Sequence, residues 1–368
     1  MKEKKLLMIP GPVESDPAVM QALGAPTTSH TAPDFITSFG NCLRMMRQVW
    51  ECPDGQPFIM AGSGTLAMDM AGANLVEPGD KALVVSTGYF GERYAELLRR
   101  YGAEVTVLRA ETGELPEPSA IEEVLETAEF KLLTITHVDT STAVRVDPRP
   151  IGELGIKYGV ITILDGVCSV AGEELYQAEW GIDVVLTASQ KAIGVPPGLA
   201  LLVASPKAME VWQKRKTPVG NYYCDWNHWL PIMQAYEEGN PSYFGTPAVN
   251  LVAALEVSLR LILEEGLDER VMRHKTLASE FRRKIKALGM RMMPVEDSIA
   301  ANTLSAIYYP QGIDSGGFLA SVNQSGVIVA PGLLPEHKTS YFRVGHMGQV
   351  NSSDMEKVLS AIEKGLRR

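Results

Sequence analysis

Short apolar runs alternate with amphipathic segments through the first two hundred residues. The runs at 57–60, 81–86, 104–109, 131–137, 160–165, 183–188 and 199–204 are apolar and bounded by turn residues. They read as strands. Helical periodicity fills about 64–76, 90–101 and 118–128, and another helix starts at Pro148. Strands apolar throughout, alternating with helices, predict an α/β fold whose mostly parallel seven-stranded sheet is covered on both faces. Residues 1–17 carry Pro10, Gly11, Pro12 and Pro17, so they read as an extended arm. A short helix after Pro17, a polar loop at 27–33 and a helix over 34–51 follow. From residue 248 the pattern changes to two long helical runs, 248–265 and 268–288, with short strands near 304–309, 327–330 and 340–344. A last helix runs to Leu366 with Ser353 as its expected N-cap. The expected division is an arm over 1–17, a large domain over 18–265 and a smaller C-terminal α+β domain over 266–368.

Composition narrows the classes. A net charge of −10 over 368 residues, with no basic stripe, argues against a nucleic-acid partner. No run approaches the roughly 18 apolar residues of a membrane span. The apolar run at 6–9 is too short for the core of a secretory leader. Cys42, Cys52, Cys168 and Cys224 have no metal-type spacing and are too few for a disulfide framework. The expected compartment is the cytoplasm.

The chemistry concentrates at strand ends. Lys191 lies in Ser189-Gln190-Lys191, between two strands that read as fully buried, where an unpaired ammonium is costly. Asp165 ends the run 160–165. Gly62-Ser63-Gly64-Thr65 opens a helix, whose free N–H groups and dipole suit a phosphate. Taken alone, GSGT is equally a tight strand–helix turn, Asp165 a cap and Lys191 half of an ion pair. In open α/β sheets the carboxyl ends of strands converge on one ligand site. A single ligand, pyridoxal phosphate, uses a lysine, an acid at its ring nitrogen and a phosphate cup together.

PGP at 10–12, GSGT at 62–65, GYFGER at 88–93, THVDTSTAV at 136–144, LDGVCSVAGEEL at 164–175 and ASQKAIGVPPGLA at 188–200 occur in one order. Together they resemble the class V aminotransferases of pyridoxal-phosphate fold type I, especially the alanine–glyoxylate and serine–pyruvate enzymes. The resemblance spans nearly the whole chain. It implies that Lys191 is the Schiff-base lysine and Asp165 the acid at the pyridine nitrogen. Val167 and Phe90 would pack on the two ring faces, and Ser141 would sit near the phenolic oxygen. Ser63, Gly64, Thr65 and Gln190 would form the phosphate cup. Tyr243 and Thr246 would reach the phosphate of a neighbouring subunit, making the enzyme a homodimer with shared sites; otherwise Tyr243 is a core aromatic. Arg343 would bind the substrate carboxylate, or else form a surface ion pair. Gly11 would close the substrate pocket by a backbone contact.

The implied reaction is ping-pong transamination from a small amino acid, alanine or serine, to a small 2-oxo acid, glyoxylate or pyruvate. No second arginine stands out for a side-chain carboxylate. A cysteine desulfurase would need a late nucleophilic cysteine, and none follows Cys224. A phosphonate- or phosphoserine-type enzyme, a pyridoxamine–pyruvate enzyme and a non-catalytic pyridoxal-phosphate-binding module remain as alternatives. The segments 27–31 and 221–226 are candidates for lining the pocket or an interface.

Overall fold

The computed structural model describes residues 4–367. The first three residues of the arm and Arg368 at the end of the expected small domain lie outside the described residues. In chain order the elements are β1 (Leu6–Leu7), α1 (Pro17–Leu23), α2 (Pro33–Val49), β2 (Gln56–Ala61), α3 (Gly64–Leu75), β3 (Lys81–Ser86), α4 (Tyr89–Arg100), β4 (Glu104–Arg109) and α5 (Pro118–Leu125). They continue through β5 (Leu132–Thr136), β6 (Val138–Asp139), β7 (Val144–Arg145), α6 (Arg149–Tyr158), β8 (Ile161–Asp165), β9 (Val184–Ala188), β10 (Leu199–Ala204), α7 (Pro206–Gln213), α8 (Trp226–Glu237) and α9 (Val249–Glu265). After Gly266 come α10 (Leu267–Ala287), β11 (Leu304–Tyr308), α11 (Ser315–Gln324), β12 (Val327–Ile328), β13 (Ala330–Pro331), β14 (Tyr341–Gly345) and α12 (Ser352–Leu366).

The main sheet has seven strands in the order β2-β10-β9-β8-β5-β3-β4. β9, β8, β5, β3 and β4 are parallel, and β10 alone runs against both of its neighbours. Every residue of β5, β8, β9 and β10 is buried, as strands covered on both faces must be. One sheet edge therefore gathers the carboxyl ends of β2, β3, β5, β8 and β9. The register sets Thr136 beside Asp165, Asp165 beside Leu186, and Leu199 between the ends of β9 and β2.

A second apolar cluster lies after Gly266. Phe281 of α10, Phe318 of α11, Phe342 of β14 and Val358 and Ile362 of α12 pack behind the sheet β11-β14-β13. The arm belongs to this cluster as well. β1 pairs in parallel with β12, Met8 is fully buried there, and Gly345 N donates to Met8 O at 2.9 Å. A Cβ on Gly345 would stand 2.1 Å from Ile9 O, so only glycine lets the arm pass. Thr303 Oγ1 donates to Cys168 O at 2.7 Å and Ala301 N to Ala143 O at 2.9 Å, which ties β11's approach to the strand ends of the main sheet.

Several expectations change. α12 is capped by Asn351, not Ser353: the Asn351 side chain accepts from Ser353 N and Asp354 N, and Asp354 answers with a bond to Asn351 N. The polar loop after β5 folds into a short hairpin, β6–β7. Three helices were not expected. α8 carries Pro231 in its interior, α11 starts with two glycines, and α7 is only eight residues long. Each weakens the helical signal. Among the described residues no helix is long and apolar enough to cross a membrane.

Candidate active site

The turn between β9 and β10 presents Lys191. Ser189 latches the turn: its Oγ donates to Pro196 O at 2.8 Å and accepts from Leu199 N at 3.1 Å. Gly194, at φ +77°, turns the chain where a side chain would be strained, and its N–H closes onto Lys191 O at 2.8 Å. Arg270 NH2 holds Ala192 O at 2.8 Å, and Ser258 Oγ donates to Ile193 O. Lys191 Nζ donates to Pro10 O in the arm. A Cβ on Gly11 would come within 2.5 Å of Lys191 Cδ, so glycine is required for the arm to lie on the lysine. Desolvation lowers the Lys191 ammonium pKa; Cys168 and Asp165 oppose that shift and Arg343 adds to it.

Asp165 is buried at the end of β8, and its Oδ1 accepts from Val167 N at 3.0 Å. Burial pushes its pKa up to about 7; the Val167 N–H opposes this, Asp139 adds to it, and Lys191 and Arg93 oppose it. Val167 meets the first turn of α3. A Cβ on Gly64 would lie 2.8 Å from Val167 Cγ2, so Gly64 allows helix and strand end to touch. Ser63 occupies the N-cap of α3 without a side-chain capping bond, and Ser63 and Thr65 are exposed. Gln190 Oε1 is buried with no partner in the protein, while the backbone O of Gln190 accepts from Val13 N at 3.1 Å.

The first turn of α4 lies against the β6–β7 hairpin. Asp139, buried in the β6–β7 hairpin, organises it. Its Oδ1 accepts from Ser141 N at 2.9 Å and Ser141 Oγ at 2.6 Å, and its Oδ2 accepts from Phe90 N at 3.0 Å. Tyr89 N donates to Ser141 Oγ at 3.0 Å. One carboxylate at a helix N-terminus thus fixes both Phe90 and Ser141. Gly88 has no room for a side chain here, since its Cβ would meet Ser141 Oγ at 2.5 Å.

Arg343 approaches from β14. It is buried, with Nε donating to Pro331 O at 3.0 Å and NH1 to Thr140 O at 3.1 Å. That burial excludes a surface ion pair. Tyr341 OH donates to Ser141 O at 2.8 Å and accepts from Leu333 N and Leu334 N. It joins β14 and the 333–334 segment to the hairpin.

The structure brings together Gly11, Ser63, Gly64, Thr65, Phe90, Ser141, Asp165, Val167, Gln190, Lys191 and Arg343. Tyr243 and Thr246 stand apart in an exposed segment. Tyr243 is 64% exposed and its ring contact is with His30, so it is not a core aromatic. The segment 221–226 packs on α3: Asn74 Nδ2 donates to Cys224 O at 2.7 Å, Trp226 N donates to Asn74 Oδ1 at 3.0 Å, and Tyr223 OH reaches Ala61 O at 3.4 Å. Asp139, Arg93, Thr140 and Tyr341 were missed by sequence reasoning. Asp139 and Arg93 lie within GYFGER and THVDTSTAV, whose order signalled the family without separating ring contacts from their supports.

Comparison with known proteins agrees with this architecture. The family model described as Aminotransferase class-V matches residues 19–340. Alanine–glyoxylate aminotransferase 1 of Saccharomyces cerevisiae is 38% identical over 361 residues, covering 94% of this chain and 93% of that protein. Serine–glyoxylate aminotransferase of Arabidopsis thaliana is 28% identical over 366 residues, covering 98% and 90%. The crystal structure of an alanine–glyoxylate aminotransferase from Nostoc sp. superposes with a TM-score of 0.94 at 31% identity, covering 100% of this chain and 96% of that one. The chain belongs to the class V aminotransferases, pyridoxal-phosphate-dependent transaminases of fold type I.

Proposed function

We propose that this transaminase moves the amino group of alanine or serine to glyoxylate or pyruvate, in two half-reactions that alternate at one site. Arg343 carries the reading. Its guanidinium is buried and close enough to Lys191 to depress the lysine's pKa, and two carbonyls hold only part of its donor fork. The remaining N–H groups suit one planar carboxylate. Arg270 and Arg282, the other buried guanidiniums, are tied to Ala171, Ala192, Glu265 and Ala301. Among the described residues no second fork stands beside Arg343, which favours a small, uncharged side chain. Relatives named for alanine or serine with glyoxylate support the same class.

The residues fit pyridoxal phosphate. Asp165 is a buried acid with one backbone donor and no cation in bonding range, as an acid awaiting a ring N–H must be. Ser63 stands at the N-cap of α3 with no side-chain capping bond, which leaves the first N–H groups of that helix free to take an anion. Val167, Phe90 and Ser141 would hold the ring, and Ser63, Gly64, Thr65 and Gln190 the phosphate. When bound, the cofactor supplies the electron sink that acidifies the substrate Cα–H. Lys191 Nζ, whose pKa desolvation lowers, would take that proton and later return it. Arg343 orients the carboxylate, and Pro10-Gly11 keeps the arm over the amine and excludes water. The four cysteines are free and buried, which suits a reducing compartment such as the cytoplasm.

The test is a half-reaction screen. Mixed singly with holoenzyme, alanine and serine are expected to convert the cofactor's absorption to that of its aminated form faster than aspartate or phosphoserine. Faster conversion by either acidic donor overturns the substrate reading.

Tyr243 and Thr246, exposed on their own chain, are assigned to the site of a second copy. Mixing Lys191→Ala subunits with Tyr243→Ala subunits then rebuilds one intact site per mixed dimer. Activity is expected to rise above that of either parent after co-refolding. Activity that stays at the sum of the parents removes the shared-site assignment.

A further inference from the structure

We propose that Arg93 is a ligand of the cofactor phosphate, the cation of a cup that is otherwise neutral. This rests on reading the α3 N-terminus as that cup. A phosphate monoester carries about −1.5 to −2 charge at neutral pH. Ser63, Gly64, Thr65 and Gln190 offer only neutral donors and acceptors, and the end of a helix adds roughly +0.5. Arg93 supplies what is missing. It lies on the first turns of α4, and its NH1 donates to Thr65 Oγ1 at 3.2 Å, across 28 residues of sequence and inside the cup. Its guanidinium sits 5.0 Å from the centre of the Phe90 ring and 5.1 Å from that of Tyr89. Those two rings meet edge to face, 5.5 Å apart, so they form a fixed platform.

The charge has no acid of its own. Arg93's other bond is to Tyr89 OH at 3.5 Å, and among the described residues no carboxylate pairs with it. Two other guanidiniums nearby have acids, Arg100 with Glu96 and Arg109 with Glu92, while Arg99 on the same helix has none among the described residues and lies exposed. A half-buried guanidinium held by a hydroxyl and two aromatic faces is matched to an arriving anion. It has already lost much of its freedom, so taking a phosphate oxygen costs little further ordering. Its field also reaches Asp165, where it favours the ionised carboxylate. Arg93 therefore ties the three parts of the ring site together: the stacking aromatic, the acid and the cup.

The experiment titrates holoenzyme stripped of cofactor with pyridoxal phosphate and, separately, with pyridoxal, which has no phosphate. Tryptophan fluorescence reports binding, without reference to turnover. Arg93→Met is expected to lose about 10- to 100-fold in affinity for pyridoxal phosphate while its affinity for pyridoxal is unchanged. Arg93→Lys is expected to recover part of the loss, as a point charge without the fork. Equal weakening of both compounds would mean that Arg93 acts only by packing Phe90 and Tyr89, and overturns the proposal. Unchanged pyridoxal-phosphate affinity overturns it too. A wild-type protein that does not prefer the phosphorylated compound sinks the cup reading itself, an outcome separate from either of these.

Discussion

Lys191→Ala is expected to lose transamination by about 10³-fold or more while the chain still folds. The size follows from the loss of the group assigned to carry the proton. The position also explains why the fold survives. The turn is held by Ser189, Gly194, Arg270 and Ser258, and none of those bonds uses the lysine side chain. What the variant gives up is the bond from Nζ to Pro10 O and the packing against Gly11. What it gains is relief from a desolvated amine. Its unfolding midpoint is expected within a few degrees of the cofactor-free parent. Lys191→Arg should be as inactive, because a guanidinium does not give up its proton at any working pH. A small amine such as methylamine should restore part of the alanine variant's turnover. Wild-type rates from Lys191→Ala with no amine added would remove Lys191 from proton transfer.

The lysine was legible because it interrupts two runs of buried apolar residues, a conflict that burial energetics makes visible in one dimension. Asp165 was legible for the same reason, as a charge closing a fully apolar strand. Seven strands followed from short apolar runs bounded by turn residues, and the helices between them from the 3.6-residue period. What was not legible depends on contacts that periodicity does not encode. Asp139 bonds to Phe90 across 49 positions, and the sequence marks it only as one polar residue among several in a hairpin. The pairing of β1 with β12 joins the two ends of the chain, and two-residue strands leave no periodic trace. β10 runs antiparallel because the short lysine turn reverses the chain directly; apolar runs are silent about direction. The Asn351 cap outcompetes Ser353 because Asp354 completes a reciprocal pair with it, which a single-residue preference overlooks.

Asp165→Asn is expected to move activity and stability in opposite directions. Activity should fall by about 10³-fold, since an amide does not hold a proton on the ring nitrogen. Stability of the cofactor-free protein should rise at neutral and alkaline pH. The sign follows from linkage. Burial raises the folded-state pKa of Asp165 to about 7, against an ordinary aspartate value near 3.9 in the unfolded chain. Between those values the folded protein holds a proton that the unfolded chain has released. The stability associated with that proton is complete below about pH 4 and is lost as pH rises through about 7. About three pKa steps correspond to about 4 kcal/mol at most. Urea unfolding of cofactor-free protein at pH 5.5, 6.5 and 8 should therefore show wild-type stability declining with pH relative to Asp165→Asn. Bound cofactor would reverse the balance: a cationic ring nitrogen held by Asp165 would favour the ionised carboxylate, so the group that weakens the empty protein at pH 8 would strengthen the loaded one. Parallel pH profiles for the two cofactor-free proteins would show that Asp165 is ionised in both states. The acid would then owe nothing to desolvation, and its pairing with the cofactor would need another physical basis.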